Sequence, residues 1–211
     1  MKRLFDLTLA TVWILLLSPI LILAAILIKS TMPGPVIFKQ KRIGKEGKPF
    51  IIYKFRSMRI NTSDTAITLS TDKRITRFGR FIRKTKIDEL PQLCNILKGE
   101  MSIVGPRPDV PGYYDTLTGE NQLIWTLRPG LTGLDSMFYP NEQVILDHQT
   151  HPRQYYDNIL WPHKVRLNLW YTKNRTLLID MKIICNTATQ LLFGKLIFRI
   201  NTEGENEAKR R

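Results

Sequence analysis

Two adjacent acidic residues, Asp88 and Glu89, precede Pro91 at the start of a short segment with helical spacing. Proline is accepted in the first turn of a helix, so Asp88 is expected at or next to the helix N-cap, beside free backbone N–H groups and the positive end of the helix dipole. Phosphate binds at the same kind of position. An ordinary N-cap aspartate followed by an exposed glutamate is the simpler interpretation of these two residues alone.

The two carboxylates could also divide a reaction between them. Adjacent helical residues point about 100° apart, so Asp88 and Glu89 cannot share one proton on a single helix face. One of them can attack or contact phosphorus while the other holds a hard cation such as Mg²⁺. This interpretation requires phosphate-binding cations elsewhere in the chain.

A single arginine, Arg107, lies in a later loop with a proline on each side of it. A guanidinium held on such a rigid loop is a good bidentate ligand for phosphate. Other basic residues near predicted turns or element ends could contribute to the same site; they are Lys54, Arg56, Arg83 and Arg128. Each of these four, taken alone, is more simply interpreted as a surface charge.

The elements that must position these residues are mostly helical. Residues 36–41 and 49–56 are β-rich and are separated by a loop containing Gly44 and Gly47, which predicts a hairpin. Residues 61–72 indicate a loop, 74–86 a basic amphipathic helix suited to a membrane interface, and 89–98 a short helix closed by Gly99. Residues 153–175 and 177–199 have helical spacing. The pattern predicts a predominantly α protein with a small β-hairpin, of the α+β class.

The amino-terminal segment is apolar and long. Residues 7–28 carry no charge and would form a helix roughly 33 Å long, enough to cross a hydrocarbon core of about 30 Å. A secretory signal is disfavoured because its apolar part is shorter, about 7–15 residues, and ends in a cleavage site. Ser18 and Pro19 break the run near its middle, and basic residues flank both ends. A spanning helix and a re-entrant helix that returns to the same face are left open at this point.

The charge balance favours a membrane partner. The 211 residues include 32 Lys and Arg against 18 Asp and Glu, a net charge of +14. Residues 1–60 contain eleven basic and two acidic side chains, so +9 of this excess lies beside the apolar segment. An anionic membrane surface therefore accounts for the basic residues better than nucleic acid does. The two cysteines, Cys94 and Cys185, are expected to be buried reduced thiols.

Seven short motifs occur one after another along the chain. They are residues 2–6 (KRLFD), 18–19 (SP), 53–58 (YKFRSM), 88–92 (DELPQ), 101–108 (MSIVGPRP), 128–133 (RPGLTG) and 178–183 (LIDMKI). Together they resemble the bacterial sugar transferases, the monotopic polyprenyl-phosphate phosphoglycosyl transferases in their short single-domain form. The resemblance covers roughly residues 1–190. It departs at residues 134–137, which read LDSM where many members have WAQV.

The resemblance implies a specific enzyme. A UDP-sugar would donate its sugar 1-phosphate to polyprenyl (undecaprenyl) phosphate with release of UMP, initiating assembly of a capsule, exopolysaccharide, O-antigen or glycoprotein glycan. By the same resemblance, Asp88 is the nucleophile that forms a covalent phosphosugar intermediate, Glu89 binds Mg²⁺ and Arg107 contacts phosphate. Positions carried over as substrate-binding are Lys54, Arg56, Arg83, Arg128 and Asp180.

The same resemblance implies a location and a domain arrangement. Ser18 and Pro19 would break a re-entrant helix over residues 1–30. Residues 31–200 would form a catalytic domain on the cytoplasmic face of the bacterial inner membrane, and 201–211 a polar, disordered tail. Two alternatives are a glycosyltransferase that releases UDP and a non-catalytic, membrane-anchored basic protein. The transferred sugar is not identified, and a homo-oligomer is left open.

Overall fold

The computed structural model of the protein describes residues 1–59, 74–200 and 202. The helices of the described part are α1 (Lys2–Thr31), α2 (Arg77–Lys84), α3 (Leu93–Lys98), α4 (Leu134–Phe138), α5 (Glu142–Asp147), α6 (Pro152–Tyr155), α7 (Trp161–Asn174) and α8 (Leu177–Phe193). The strands are β1 (Ile37–Ile43), β2 (Pro49–Phe55), β3 (Ser102–Val104) and β4 (Gly130–Thr132). The prediction of a mainly helical α+β protein with a hairpin is confirmed.

Helix α1 contains the whole uncharged run and continues through Pro19 as one helical element. Pro19 has no N–H to donate to the carbonyl oxygen of Leu15, and the hydroxyl of Ser18 donates to that oxygen instead, at 2.8 Å. Within the described residues, α1 is the one helix long and apolar enough to cross a membrane. Apolar side chains near the middle of α1 are exposed: Leu16 is 71% exposed and Ile22 is 62% exposed.

The amino-terminal end of α1 is tied to the rest of the protein by polar contacts. Lys2 forms an ion pair with Asp180 at 2.7 Å, and Arg3 donates to the carbonyl oxygen of Ile96 at 2.7 Å. The buried carboxylate of Asp6 accepts hydrogen bonds from the Ser102 hydroxyl, at 2.8 Å, and from the backbone of Ile103. These contacts join α1 to α3, β3 and α8.

The carboxyl-terminal end of α1 packs on the same domain. Ile28 and Met32 are buried in a cluster with Phe55 of β2 and Ile82 of α2. The guanidinium of Arg56 donates to the carbonyl oxygens of Met32 and Pro33, at 2.7 and 2.8 Å. Met32 is the C-cap of α1 and Pro33 follows it, so a residue adjoining β2 holds the chain where it leaves the helix.

Two small sheets lie between the helices. Strands β1 and β2 form the expected antiparallel hairpin, with Arg42 opposite Phe50 and Lys54 opposite Phe38. Strands β3 and β4 form a second, parallel pair that the sequence did not predict. The main core lies around β3, where Ile103 is fully buried together with Ile96, Leu134 and Ile183.

Several expected boundaries differ from those observed. Helix α2 begins at Arg77 because the Thr76 side chain caps it by accepting from the Gly79 backbone N–H. Helix α8 ends at Phe193 because Gly194 adopts a left-handed conformation. Residues 194–199, which were predicted to be helical, are therefore not part of the helix. The expectation of two buried cysteines was wrong: Cys94 is exposed and Cys185 is partly exposed. The loop predicted over 61–72 lies outside the described residues, as does the tail except for Thr202.

Candidate active site

Asp88 lies within a 3₁₀ turn, Ile87–Gln92, which leads into α3. The turn begins at Lys86, whose φ of 57° is left-handed, and no side chain caps it. The expected N-cap position of Asp88 is therefore wrong, because Lys86 holds that position and Asp88 follows two residues later. The Asp88 side chain is free of a capping role. Its Oδ1 atom is buried and has no hydrogen-bond partner in the described part of the chain.

Glu89, by contrast, is held by two cations. Lys54 Nζ of β2 donates to Glu89 Oε1 at 3.2 Å. Arg107 donates to both carboxylate oxygens, with Nη1 at 3.2 Å from Oε2 and Nη2 closer still to Oε1. The two acidic residues predicted to divide the chemistry thus have different environments: Asp88 Oδ1 has no partner among the described residues, whereas Glu89 is paired with two cations.

The electrostatics separate the two carboxyl groups further. Burial, and secondarily the charge of Glu89, raises the pKa of Asp88 to about 6. Burial opposes ionisation of Glu89 as well, but the charges of Arg107 and Lys54 outweigh it and hold the Glu89 pKa well below its usual range. The Glu89 charge in turn raises the pKa of Arg107, and burial lowers that of Lys54. At neutral pH Asp88 is mostly ionised and poorly stabilised, which suits a nucleophile.

The loop that carries Arg107 is fixed by close backbone packing. A Cβ atom on Gly130 would lie 2.2 Å from the backbone nitrogen of Gly105, so the loop can approach β4 only because both residues are glycine. The Gly130 backbone N–H donates to the carbonyl oxygen of Pro106 at 2.8 Å. The guanidinium of Arg107 is therefore carried on a rigid support, as its two flanking prolines predicted.

Asp135 stabilises the same loop through hydrogen bonds. Its carboxylate is 1% exposed and accepts hydrogen bonds from the backbone N–H of Arg107 and from Asn168, both at 3.2 Å. Leu134 and Met137 beside it are buried as well. The stretch 134–137, which departs from the family pattern, thus belongs to the core and to the support of Arg107.

The other residues predicted at the site fall into two groups. Arg83, in the last turn of α2, is close enough for its charge to favour ionisation of Asp88. Arg56 binds the carbonyls at the end of α1, Arg128 donates to the carbonyl oxygen of Gly99 at 2.7 Å, and Asp180 pairs with Lys2. In the described part of the chain these last three have no hydrogen bond or ion pair with Asp88 or Glu89.

Sequence reasoning missed Arg42 and Asp135. The hairpin register would have indicated Arg42. Arg42 lies opposite Phe50, and Phe50 and Lys54 are four residues apart on the same strand, so Arg42 and Lys54 point to the same face of the hairpin. Arg42 forms an ion pair with Asp109 at 3.5 Å. No comparable pattern marks Asp135, which comes to Arg107 through the packing of α4.

The two carboxylates provide oxygen ligands suited to a divalent cation. Across residues 1–59, 74–200 and 202, no three or more His, Cys, Asp or Glu side chains lie together as a potential metal-binding group. Mg²⁺ is typically held by one or two carboxylates, with waters and substrate phosphates completing its shell. The unpartnered Asp88 Oδ1 and the neighbouring Glu89 match that donor set. The residues present therefore fit Mg²⁺ bound together with a phosphate substrate.

A buried carboxylate with one oxygen unpartnered in the described chain, close to an arginine and a lysine, suits chemistry on phosphate groups. A family model described as bacterial sugar transferase matches residues 1–194. The chain therefore belongs to the bacterial sugar transferase family.

Individual relatives agree with the family. The uncharacterized sugar transferase EpsL of Bacillus subtilis (strain 168) is 36% identical over 201 residues, covering 95% of this chain and 92% of that protein. The exopolysaccharide production protein PSS of Rhizobium leguminosarum bv. phaseoli is 39% identical, covering 92% and 97%. The UDP-glucose:undecaprenyl-phosphate glucose-1-phosphate transferase of Escherichia coli (strain K12) is 46% identical over 138 residues, 63% of this chain but 30% of that protein.

Proposed function

We propose that the protein is a phosphoglycosyl transferase that moves a sugar 1-phosphate from a UDP-sugar to undecaprenyl phosphate and releases UMP. The observation that carries this proposal is the contrast between Asp88, whose buried Oδ1 has no partner, and Glu89, which is paired with Lys54 and Arg107. The E. coli relative acts on UDP-glucose and undecaprenyl phosphate. An Aeromonas hydrophila relative, 36% identical over 198 residues, transfers phospho-N-acetylgalactosamine to the same lipid.

In the first half of the reaction, Asp88 acts as the nucleophile. An oxygen of its carboxylate attacks the phosphorus that bears the sugar, and the bond from that phosphorus to the bridging oxygen of the diphosphate breaks. The electron pair leaves with UMP, and the sugar phosphate remains on Asp88 as an acyl phosphate. Attack costs Asp88 no hydrogen bond at Oδ1, because that atom has none to lose.

Cations of the site stabilise the charge that moves onto the diphosphate. Arg107 presents a planar guanidinium, and Lys54 adds a second positive charge next to Glu89. Glu89 would hold Mg²⁺, which when bound supplies additional neutralisation of the diphosphate. Arg83, at the end of α2, favours the ionised form of Asp88.

In the second half of the reaction, the acceptor lipid enters. A phosphate oxygen of undecaprenyl phosphate attacks the same phosphorus, the bond to Asp88 breaks, and the carboxylate is regenerated. The product is a sugar linked to the lipid through a diphosphate, the class of compound that begins glycoconjugate assembly. Two successive steps allow a soluble donor and a membrane-bound acceptor to use one site in turn.

The position of α1 supports a re-entrant, monotopic arrangement. Lys2 at one end of α1 pairs with Asp180, and Met32 at the other end accepts from Arg56, so both ends contact the same domain. A helix crossing a hydrocarbon layer of about 30 Å would carry one end away from that domain. The exposed apolar middle, with Leu16 and Ile22, would then enter one leaflet of the cytoplasmic membrane and return.

Helix α2 fits the cytoplasmic surface of that membrane. Arg77, Arg80 and Lys84 are exposed, while Ile82 is fully buried against the end of α1. Anionic lipid attracts such a basic face by about 1 kcal/mol per Lys or Arg. Asp88 follows the end of α2 by four residues. The proposed site is therefore held close to the level of the acceptor's phosphate.

A trapping experiment tests the proposal. Full-length protein in nanodiscs is incubated with Mg²⁺ and UDP-sugars labelled in the sugar, without acceptor; protein-bound label and UMP should appear in equal amounts. Addition of undecaprenyl phosphate should discharge the label into lipid. Asp88→Asn should bind membranes normally but retain no label. Release of UDP would instead indicate a glycosyltransferase, and membrane binding without nucleotide release a non-catalytic basic protein.

A further inference from the structure

The carboxyl-terminal end of α8 and the residues that follow it expose a dense group of apolar side chains. We call residues 191–198 the C-terminal tip. Six of its eight residues are large and apolar, and each of the six is at least 43% exposed. They are Leu191, Leu192, Phe193, Leu196, Ile197 and Phe198. Apolar side chains in such a contiguous group, unlike single exposed ones, mark a surface that another phase or molecule covers.

The C-terminal tip has a fixed conformation and is not a frayed end. Gly194, with a left-handed φ of 68°, reverses the chain after α8. The fully buried Asn186 then holds the returning segment: its Oδ1 accepts from the backbone N–H groups of Ile197 and Phe198, at 3.0 and 2.8 Å. Asn186 Nδ2 also donates to the carbonyl oxygen of Phe198 at 2.7 Å, and Ile200 is buried in the main core. The fold therefore presents these apolar side chains outward at a defined place.

The outer face of α8 extends this apolar surface along the whole helix. Ile183 and Asn186 face the core, whereas apolar side chains that recur every three or four residues lie on the opposite face. These are Leu178, Met181, Cys185, Ala188 and Leu192, all of which are exposed or partly exposed. We call them the α8 stripe. It runs from the first turn of α8 into the C-terminal tip.

The α8 stripe begins beside α1. Asp180, in the first turn of α8, pairs with Lys2 in the first turn of α1, at 2.7 Å. Ile184 of α8 and Trp13 of α1 pack against the same core cluster. Leu4, one turn along α1, is itself 71% exposed. The apolar surfaces of the two helices therefore start from the same corner of the protein.

The charges around this surface favour anionic lipid as the molecule that covers it. Residues 181–200 contain Lys182, Lys195 and Arg199 but no aspartate or glutamate. Lysine and arginine beside an apolar surface can lay their stems along it and keep their charges at the level of lipid headgroups. A second copy of this chain would instead bring the same positive charges together. A bilayer with anionic headgroups satisfies both the apolar and the basic side chains.

We propose that the C-terminal tip and the α8 stripe form a second membrane-binding surface, which enters the headgroup region and the adjoining acyl chains of an anionic phospholipid bilayer. This proposal rests on the membrane position proposed above for α1, but not on the reaction. Interfacial segments of this kind enter about 5–10 Å into the boundary between headgroups and acyl chains. Two separate membrane contacts would prevent the domain from rotating about α1, with Asn186 as the residue that positions the second contact.

Depth-dependent fluorescence quenching tests the proposal. Full-length protein with serine at positions 94 and 185 receives one cysteine, by Phe193→Cys or Ile197→Cys, which is labelled with a polarity-sensitive fluorophore. Each protein is placed in nanodiscs of anionic phospholipid at one copy per disc. The emission should shift to shorter wavelength than in water. A spin label near the headgroup should quench both probes several-fold more than one at the end of the acyl chain, since the expected depth is only about 5–10 Å.

Three further variants provide the controls. Leu123→Cys replaces another exposed apolar residue, in the 3₁₀ segment Gly119–Thr126 that packs against α7, and its probe should emit as in water and stay unquenched. Leu16→Cys reports the exposed middle of α1 and should be quenched. Lys195→Glu, added to Phe193→Cys, should reduce quenching more in anionic discs than in neutral ones, because it reverses a charge at the lipid surface.

The possible results separate this proposal from the arrangement of α1. Probes at positions 193 and 197 that emit as in water would overturn it. A shifted emission that no spin-labelled lipid quenches would overturn it as well, because protein would then cover the tip. If only the Leu16 probe is quenched, α1 lies in the membrane and the second contact alone is wrong. If none of the three probes is quenched, the membrane position of α1 is also wrong. Quenching at both 193 and 197 supports the proposal whether or not the protein turns over a UDP-sugar.

Discussion

Replacing Asp88 by asparagine should make the protein more stable while abolishing turnover. The Asp88 carboxylate is 9% exposed, its Oδ1 has no partner, and Glu89 adds a neighbouring negative charge. Folding therefore works against the ionised form of this group. An amide of nearly the same shape removes the charge and leaves the 3₁₀ turn intact, because Asp88 has no capping role to lose.

The magnitude follows from the displacement of the pKa. A rise from 3.8 to about 6 corresponds to a penalty of order 3 kcal/mol on the ionised folded state at neutral pH. An unpartnered amide also costs free energy on burial, about 2 kcal/mol at the middle of the usual range, so the net gain should be of order 1 kcal/mol. For a chain of this size that is an increase in Tm of about 2–4 °C.

The pH dependence of this stabilisation provides an independent test of its cause. Because the folded pKa of Asp88 is raised, the folded state binds the additional proton between about pH 4 and pH 6, and the penalty disappears as the pH falls through that window. The Tm advantage of Asp88→Asn should thus be full at pH 7.5 and much smaller at pH 5. The measurement is thermal unfolding in nanodiscs with EDTA, so that no divalent cation stabilises the wild-type carboxylate.

A second buried aspartate provides the contrast. Asp6 is 2% exposed, but its carboxylate accepts from Ser102 and Ile103, so Asp6→Asn should lower Tm. The reasoning is refuted if Asp88→Asn is no more stable than wild type at pH 7.5, or if its advantage is the same at pH 5.

Three further predictions concern the cation, the arginine loop and the membrane helix. Glu89→Gln should lower turnover, and raised Mg²⁺ should recover part of it, because an amide is a poorer ligand for a hard cation; normal turnover at limiting Mg²⁺ would contradict this. Gly130→Ala should lower the free energy of unfolding in denaturant by more than about 3 kcal/mol, since its Cβ would meet the Gly105 nitrogen at 2.2 Å. Changing Ser18 and Pro19 to alanine should favour a helix that crosses the membrane over one that returns to the same face, so that a cysteine at position 2 reacts with an impermeant thiol reagent in intact cells.

Each of these three has its own control. Glu120→Gln, at an exposed ion pair, should show the same Mg²⁺ dependence of turnover as wild type. Gly112 has a φ of 99° and nothing within 4 Å of its absent Cβ, so Gly112→Ala measures backbone strain alone and should cost about 1 kcal/mol. Cys94 and Cys185 are replaced by serine before labelling because neither is buried. Labelling of position 2 in the protein that retains Ser18 and Pro19 would rule out the re-entrant arrangement.

The sequence predicted elements whose patterns are local. The uncharged run, the alternation of the hairpin and the glycine after α3 each fix an element within a few residues. It could not say which partner a charged side chain would find. Arg56 and Arg107 were both predicted to bind substrate, yet one binds carbonyls at the end of α1 and the other pairs with Glu89. Asp135 is positioned by packing between distant segments, and no short pattern reports such contacts.

The hydrogen bonds between Arg56 and the end of α1 also limit how far the proposed site can lie from the apolar helix. Arg56 lies two residues after Lys54, a separation of about 7 Å along an extended strand. Lys54 in turn contacts Glu89, so the end of the apolar helix and the proposed site are joined by a short connection. In the proposed reaction, the site would therefore lie at a fixed height above the hydrocarbon layer. A lipid acceptor would have to bring its phosphate to that height, whatever the length of its chain.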